Sequence, residues 1–397
     1  MSFASLEAVT DPHSIRVAMC PALSHGGIAH YTYALAEALQ AAGVDTKVLM
    51  YDEPEYDLVG YPHAHAIAAD LQLATSRRRK LTSPVQNLAG ALLASRGRGV
   101  AHFQWSLGKR NDRLVWRALH AAQKRIVYTA HDVLPHEPDI MSRQHCQWVY
   151  DRADAIIVHG EKLKATLLDN FTVSADKVRV IAHGNYNFVS DTPGSWQRDN
   201  ARASFGFGAS DRVVLFFGLI REYKGIDTLI DACREIARRG LPDGQRLRLL
   251  IGGRDFKNHW SEAGYQQRIA DAGLADSVSL HMLHIPMPEV ARFFHAADVV
   301  AIPYRRGSQS GVLQLTYSFG KAAVATRVGS LGEGPNRDVT RFVEPDSPAE
   351  LADALYELLA DAGAAQALGA KARRYAETEL GWGPIAEATR AVYDSVR

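Results

Sequence analysis

Short apolar runs alternate with longer amphipathic segments along most of the chain. The apolar runs of the first half predict strands at 15–20, 45–50, 99–103, 125–130, 155–158 and 178–182. A second series predicts strands at 213–218, 247–251, 278–282, 298–302, 322–326 and 341–343. The segments between them have helical spacing, as where Tyr31, Leu35 and Leu39 recur on one face. Continuous apolar strands that alternate with helices are typical of parallel sheets covered on both faces, so the pattern predicts a doubly wound α/β protein.

The alternation is interrupted once, after about residue 185. The stretch 187–210 is rich in Ser, Gly, Asp and Asn, which predicts a connector that contains one short helix. A length of 397 residues agrees with two or three domains at about 150 residues each. We therefore expect two similar α/β halves joined near residue 190.

Composition excludes several classes of protein. The 45 Lys and Arg against 44 Asp and Glu leave a net charge of +1, so no overall field favours nucleic acid. Hydrophobic residues make up 47% of the chain, enough for a large core. The sequence has neither an apolar run long enough to span a membrane nor the start of a signal peptide. Its three cysteines lack CxxC or zinc spacing, which favours a reducing compartment, so we expect a cytoplasmic protein.

Candidate chemistry stands just after the predicted strands, where parallel sheets bind ligands. Gly26 and Gly27 follow the first strand and precede a helix, and such a turn lets backbone N–H groups approach an anion. A tight turn that needs a positive φ explains these glycines equally well. His131 and Asp132 follow the fourth strand, a good position for polar or proton-transfer chemistry. A histidine that only bonds a loop backbone is the alternative.

The second half repeats this arrangement. Arg221 and Lys224, three residues apart beside a helix start, can meet one diphosphate, although a solvated charged loop has the same spacing. Ser310, Gly311 and Val312 open a later helix and offer an anion nest, although a plain N-cap explains Ser310 as well. Because the pattern recurs in both halves, always at strand ends, it indicates a ligand between two domains.

These residues belong to longer motifs that resemble a known family. The second half resembles the retaining glycosyltransferases of GT-B fold, in particular family 4 of the nucleotide-sugar-dependent enzymes. Its motifs, in order, are FFGLIREYKGIDTLIDA, LLIGG, HAADVVAIPY, SGVLQLTYSFGKAAVATRVGSLGE and RFVEPDSPAELADAL. The first half resembles the family more weakly, through SHGGIAHYTYALAEAL, YTAHDVLPHE and ADAIIVHGEKLKATL.

The resemblance implies a fold for essentially the whole chain. Two Rossmann-like, doubly wound domains would face each other across a cleft, residues 1–190 on the acceptor side and 191–376 on the donor side. Residues 377–397 would form a helix that crosses back to the first domain.

The resemblance also implies roles for the candidates at the phosphates. Arg221 and Lys224 would hold the donor diphosphate, and residues 310–312 would donate hydrogen bonds to the same phosphates. Gly26 and Gly27 would close the cleft from the other domain.

His131 would lie near the donor sugar, while Gly253, His284 and Ile285 would lie around the nucleotide base. The implied reaction moves a sugar from a nucleotide-diphosphate sugar to a hydroxyl of a glycan, lipid-linked or small-molecule acceptor. It would retain the anomeric configuration and need neither a metal nor another cofactor. An inverting reaction that uses His131 or Asp132 as the base stays open.

One departure from the family is evident. Most members carry two glutamates eight positions apart at the helix that here begins near Gly311, and this chain has none. The first would fall near Ser308, where it touches the donor sugar, and the second near Leu315 or Thr316, where it binds the ribose hydroxyls. We interpret the chain as a variant subfamily with altered donor contacts, since the phosphate-binding pair and the His-Asp pair are both present.

Other functions compete with this interpretation. Nucleotide-sugar epimerases and phosphorylases share the architecture, and the missing glutamates would also suit a sugar-nucleotide-binding or scaffold protein that has lost catalysis. Arg77, Arg78, Arg79 and Lys80 suggest peripheral contact with an anionic membrane surface, against the alternative of a solvated helix end.

Overall fold

The chain forms two compact units. The structure, a computed structural model, describes residues 15–20, 26–48, 99–106, 109–134, 141–191, 194, 196–255, 261–333 and 336–397. The first unit comprises Met1–Val158, Leu167–Ile181 and Trp382–Arg397, and the second comprises His159–Thr166 and Ala182–Gly381.

The first unit is built on a parallel sheet with the strand order β2-β1-β3-β4-β5-β6. Its strands are β1 (Arg16–Cys20), β2 (Asp45–Val48), β3 (Val100–Phe103), β4 (Arg125–Thr129), β5 (Ala155–Val158) and β6 (Val178–Val180). The helices that connect them are α1 (Gly27–Ala41), α2 (Lys109–Ala121), α3 (Arg143–Arg152) and α4 (Glu161–Asn170). β3 and β5 are buried along their whole length, as expected for parallel strands covered on both faces.

The second unit is built on a second parallel sheet, with the order β12-β11-β10-β7-β8-β9. Its strands are β7 (Asp211–Phe217), β8 (Arg246–Gly252), β9 (Val278–His281), β10 (Val299–Ile302), β11 (Ala322–Thr326) and β12 (Arg341–Val343). Its helices are α5 (Asn187–Ser190), α6 (Arg198–Ser204), α7 (Ile226–Arg239), α8 (Glu262–Asp271), α9 (Met287–Ala296), α10 (Gly311–Ser318), α11 (Asn336–Val339), α12 (Pro348–Ala360) and α13 (Ala362–Thr378). β7, β8 and β10 lie side by side, so the loops that follow them share one edge of the sheet.

The last helix, α14 (Trp382–Val396), belongs to the first unit. It packs on α1, where the rings of Tyr31 and Trp382 meet edge to face with centroids 5.2 Å apart. Arg390 also donates a hydrogen bond of 3.1 Å to the backbone oxygen of Ala42. The end of the chain therefore completes the first unit.

The observed strands follow the apolar runs closely, and the predicted α/β class is confirmed. Differences are confined to strand ends, as where β6 ends at Val180, two residues before the predicted end. The connector contains two short helices, α5 and α6, and not the single one predicted. The second is capped locally, since the Gln197 N–H donates to Oδ1 of Asn200 at 2.7 Å, a contact that a Ser- and Gly-rich composition does not reveal.

Candidate functional site

A tight turn after β7 carries the two cations that the sequence predicts as phosphate ligands. Arg221 begins a single 3₁₀ turn, Glu222–Lys224, and the Lys224 N–H donates to the Arg221 oxygen at 3.0 Å. Gly225 ends this turn in the left-handed conformation, with φ +67°. A Cβ at Gly225 would lie 2.0 Å from the backbone oxygen of Pro303, so only glycine allows the turn to pack on the end of β10.

That packing brings Lys224 to the helix start predicted after β10. Lys224 Nζ lies 3.5 Å from the centroid of the Tyr304 ring, a close cation–π contact. On the same tyrosine, the hydroxyl accepts a hydrogen bond of 3.2 Å from Oγ of Ser310. Burial raises the Tyr304 pKa to about 12, so the phenol is neutral at physiological pH. Lys224 and Ser310 are therefore brought together on one buried ring.

Ser310 is the N-cap of α10. Its Oγ accepts a hydrogen bond of 3.3 Å from the Leu313 N–H, and Gly311 is the first helical residue. A Cβ at Gly311 would lie 3.1 Å from the Tyr186 hydroxyl. The helix N-terminus thus places its partial positive charge beside the turn that carries Lys224.

Arg305 holds these loops together, although the sequence did not single it out. Its guanidinium contacts Asp227 at 2.7 Å and Asp346 at 2.5 Å, and its backbone N–H donates to the Tyr223 oxygen at 2.7 Å. Partial burial raises the Asp227 pKa, but hydrogen bonding and attraction to Arg305 outweigh this and lower it overall. Because Asp227 and Asp346 lie 78 and 41 residues from Arg305 in the chain, no local spacing could have indicated the network.

The third part of this edge is formed by glycines. A Cβ at Gly253 would lie 1.7 Å from the Gly218 oxygen, and one at Gly218 would lie 3.1 Å from Cγ2 of Val312. The backbones at the ends of β7 and β8 are therefore in close contact, and the Val312 side chain at the start of α10 packs against Gly218. Gly218 was not among the residues predicted from the sequence, because its φ of +111° is known only from the fold.

The predicted base-binding residues lie next to this contact. A Cβ at Gly252, just before Gly253, would lie 3.0 Å from Cδ1 of Ile285. Ile285 packs against the core, and His284 beside it is half-buried. The structure thus brings Gly253 and the 284–285 loop to neighbouring positions.

The positions of the missing glutamates are occupied by neutral side chains. Ser308 is nearly buried, and its backbone oxygen accepts a hydrogen bond of 2.9 Å from the Ser330 N–H. Thr316 is fully buried, and its hydroxyl donates to the Val312 oxygen at 2.7 Å. Leu315 packs against the core of the unit. None of these three positions therefore offers a carboxylate to a ligand, and the altered donor contacts inferred from them stay a prediction.

In the first unit, the residue before α1 has a conformation reserved for glycine. Gly26 has φ +79° and ψ −173°, a region that side chains exclude, and Gly27 begins the helix. Four residues on, Tyr31 stands edge to face with His131, with centroids 4.8 Å apart and an interplanar angle of 87°. The predicted glycine turn and the predicted histidine are therefore joined by one side chain.

His131 follows β4 and is only 4% exposed. Its Nε2 lies 3.1 Å from Oε1 of Gln104, a residue that the sequence did not single out. Asp132 is half-buried beside it, and Tyr150 fixes the loop by donating to the Val133 oxygen at 2.8 Å. The histidine is thus held on a supported loop.

Some predictions fall elsewhere. The basic cluster Arg77, Arg78, Arg79 and Lys80 lies outside the described residues. Within the described parts of the chain, no group of three or more His, Cys, Asp or Glu side chains could hold a metal ion. None of the helices among those residues has the length and apolar character that a membrane crossing requires.

Chemically, the edge of the second sheet suits a diphosphate. Arg221 offers a planar fork and Lys224 a point charge, and the N-terminus of α10 adds backbone donors. The Lys224 ammonium is held over the neutral ring of Tyr304, 3.5 Å from its centroid.

Two units, each built on a doubly wound parallel sheet with polar loops at the strand ends, define an α/β protein of the GT-B class. Among solved structures, HepE from Anabaena in complex with UDP-glucose matches with a TM-score of 0.71 and 16% identity, over 96% of this chain and 99% of that one. Sucrose-phosphate synthase from Thermosynechococcus elongatus matches with a TM-score of 0.69 and 20% identity, over 96% and 99%. At these identities the similarity is one of fold, and the predicted GT-B class is confirmed.

The family follows from two sequence models that together span most of the chain. The model of glycosyl transferases group 1 matches residues 211–361, and that of glycosyltransferase family 4 matches residues 25–184. The chain belongs to this family, as the motifs predicted.

Curated relatives of the chain are also named as glycosyltransferases. The D-inositol 3-phosphate glycosyltransferase of Kineococcus radiotolerans is 31% identical over 262 residues, 62% of this chain and 58% of that protein. The protein of the same name from Corynebacterium aurimucosum is 28% identical over 270 residues, 67% of this chain and 63% of that protein. The chain therefore spans about 60% of the length of these relatives.

Proposed function

We propose that this chain is a glycosyltransferase that moves a sugar from a nucleotide-diphosphate sugar to a hydroxyl acceptor. The observation that carries the proposal is the assembly of Lys224, Tyr304 and Ser310, which sets a cation beside a helix N-terminus at a sheet edge. Family membership and relatives named as glycosyltransferases support it. HepE, the Anabaena protein of the same fold, was solved with UDP-glucose, which supports a donor of that class.

In this proposal, the second unit binds the donor. Arg221 and Lys224 hold the diphosphate, and backbone and hydroxyl donors of residues 310–312 meet the same oxygens. Negative charge grows on the diphosphate as the glycosidic bond breaks, and fixed cations stabilise that state more than the ground state. Gly253, His284 and Ile285 lie around the nucleotide base.

The first unit contributes the groups near the sugar. His131 forms a hydrogen bond with the donor sugar, Asp132 supports it, and the turn at Gly26 and Gly27 offers backbone donors to the diphosphate. We propose a retaining reaction in which the leaving diphosphate accepts the proton of the acceptor hydroxyl. Because Arg221 and Lys224 supply the positive charge, no bound metal is required, and EDTA should leave turnover unchanged.

The acceptor lies on the side of the first unit. We extend the proposal to a glycan, lipid-linked or small-molecule hydroxyl, and to peripheral contact of the basic cluster, residues 77–80, with anionic lipid. Flotation with vesicles that contain anionic lipid, compared with neutral vesicles, tests the contact. Replacement of these four cations by Gln should abolish the difference, and equal binding of both proteins would contradict it.

A thermal-shift panel of UDP, GDP, ADP, CMP and dTDP tests the proposed function first. A ligand at a hundred times its Kd adds about 2.7 kcal/mol to the stability of the folded protein, which raises the midpoint measurably. We expect one nucleoside diphosphate to stand out, and its sugar conjugates then to be turned over in a transfer assay. A well-folded sample that responds to none of them would favour the scaffold function, for which the missing glutamates would be the reason.

A further inference from the structure

A chain of buried hydrogen bonds runs behind His131 in the first unit. Nε2 of His131 lies 3.1 Å from Oε1 of Gln104, and Nε2 of Gln104 lies 3.2 Å from Nε2 of His102. The other ring nitrogen of His102, Nδ1, lies 2.7 Å from the hydroxyl of Tyr393. His102 Nε2 is also 2.7 Å from Oγ1 of Thr129.

All of these side chains are inaccessible to solvent. Gln104, His102, Thr129 and Tyr393 are 0% exposed, and His131 is 4% exposed. Hydrogen bonds in such surroundings are strong, and an unmade one is costly, so each group must match the donor or acceptor that it faces. Three elements meet here, because His102 lies on β3 with Gln104 just after it, Thr129 ends β4 and Tyr393 comes from α14.

We propose that Gln104 is a positioning residue that fixes His131 in the neutral tautomer with its proton on Nε2. The proposal rests on the proposed function, in which His131 acts at the donor sugar. The Gln104 oxygen can only accept, so His131 Nε2 must carry the hydrogen. The Gln104 amide nitrogen can only donate, so His102 Nε2 must present its lone pair.

The two histidines therefore hold opposite tautomers, coupled through one amide. His102, with its lone pair on Nε2, carries its proton on Nδ1 and donates it to the Tyr393 oxygen. The Thr129 hydroxyl, 2.7 Å from the same nitrogen, shares that lone pair as the second donor of a three-centre hydrogen bond. The opposite orientation of the Gln104 amide would require both histidines to exchange tautomers at once.

The tautomer decides what His131 can do. With Nε2–H held by Gln104, the lone pair of His131 is on Nδ1. Uptake of a proton at Nδ1 leaves the bond to Gln104 intact, because the amide oxygen accepts from the imidazolium as well as from the neutral ring. His131 therefore acts as a hydrogen-bond acceptor, or a base, through Nδ1. The edge-to-face contact with Tyr31 fixes the plane of the same ring.

Side-chain ¹⁵N spectra of the protein labelled at histidine test this assignment without any substrate. The signals of His131 are identified by their loss in His131→Ala, and those of His102 by their loss in His102→Ala. We expect a protonated-type Nε2 and an unprotonated-type Nδ1 for His131, and the reverse for His102. A His131 ring protonated on Nδ1, or the same tautomer in both rings, would overturn the proposal.

Two variants of similar size separate positioning from space filling. Gln104→Leu removes both bonds and should leave His131 as a mixture of tautomers. Gln104→Glu keeps an acceptor toward His131 but removes the donor toward His102. His131 should therefore keep its proton on Nε2, whereas His102 should move its proton from Nδ1 to Nε2. Spectra of His131 that are the same in Gln104→Leu as in the unaltered protein would refute a positioning role.

Turnover gives a second readout. Gln104→Leu should lower kcat at least about tenfold with the donor KM unchanged within about twofold, since a misplaced group affects the reacting geometry more than ground-state binding. Gln104→Glu should recover most of the loss. Thr389→Val is the matched control, because its buried hydroxyl donates to the backbone oxygen of Ile385 in its own helix, and it should keep kcat.

The two readouts distinguish this proposal from the proposed function. A chain that transfers no sugar but shows the expected tautomers overturns the proposed function and leaves the Gln104 assignment supported. A chain that transfers sugar while Gln104→Leu keeps both the spectrum and kcat overturns the Gln104 assignment alone.

Discussion

At the scale of single residues, the second unit holds the two loop cations that we propose bind the donor diphosphate. Lys224 is held over the Tyr304 ring, and Arg221 is tied to it by one turn of backbone. A cation that is already in place needs little reorganisation when charge develops on a leaving diphosphate. The stabilisation that we propose these side chains give to the leaving diphosphate thus depends on their fixed position as much as on their charge.

Arg221→Ala or Lys224→Ala should lower donor turnover by about ten- to a thousand-fold, since each removes one fixed cation from the transition state. Steady-state kinetics with the preferred donor measures this, with circular dichroism to show that the fold persists. Lys371→Ala and Arg374→Ala are matched controls, because these exposed cations on α13 have the same three-residue spacing. Equal turnover in all four variants would remove the assignment of the diphosphate site.

His131→Ala should lower turnover more than it weakens nucleoside diphosphate binding. The histidine is assigned to the sugar, whereas the nucleotide and its phosphates are assigned to the second unit. Calorimetric titration with the nucleoside diphosphate, set beside kcat, measures the two effects. A loss of binding as large as the loss of kcat would move His131 from the sugar to the nucleotide.

At the scale of elements, the turn between β7 and α7 depends on backbone contact. Gly225 combines a left-handed φ with a carbonyl oxygen 2.0 Å from where a Cβ would be. The same turn is held from the other side by Arg305, which contacts Asp227 in the first turn of α7. Neither contact can be seen in the local sequence, because each joins loops from different strands.

Gly225→Ala should therefore destabilise the protein more than the backbone conformation alone requires. The left-handed conformation costs a non-glycine residue about 1–2 kcal/mol, and the collision with Pro303 adds to that. Gly273→Ala is the control, since Gly273 has φ +71° but no atom within 4 Å of its Cβ position. Urea unfolding of both variants measures the difference, and equal losses would show that the turn relaxes freely.

At the scale of the whole molecule, each unit encloses a histidine that burial keeps neutral. Burial lowers the pKa of His30 in the first unit to about 4. Burial, with a smaller contribution from His159, lowers the pKa of His183 in the second unit to about 3. In the unfolded chain both histidines would be protonated near pH 6.5, so below that pH the unfolded chain binds protons that the folded chain does not.

The contribution of these two histidines to the free energy of unfolding should therefore be fully present above about pH 6.5. It should decrease as the pH drops toward 4. Each histidine contributes a slope of up to about 1.4 kcal/mol per pH unit in this window. Urea unfolding between pH 7 and pH 5 measures the slope, which His30→Leu and His183→Leu should each reduce. Variants with the slope of the unaltered protein would show that other groups govern the acid sensitivity.

The sequence by itself determined the α/β class, the approximate position of every strand among the described residues, and the family. Continuous apolar runs that alternate with helices are typical of parallel strands buried on both faces, so burial in the fold leaves a pattern in the local sequence. The same logic singled out Arg221, Lys224, Ser310 and His131 as candidates, because ligands of such sheets bind just after the strands. The connector was harder to predict, since the short α6 has no periodic apolar face and is capped through side-chain contacts between Gln197 and Asn200.

Only the tertiary structure decided how the site is supported. Arg305 meets Asp227 and Asp346 across 78 and 41 residues of chain, and Gln104 lies 27 residues from His131. The contact of Gly253 with Gly218 likewise exists only once β7 and β8 are side by side. Hydrogen bonds and close backbone approaches depend on distances between separate elements, and sheet order sets those distances, whereas spacing along the chain does not.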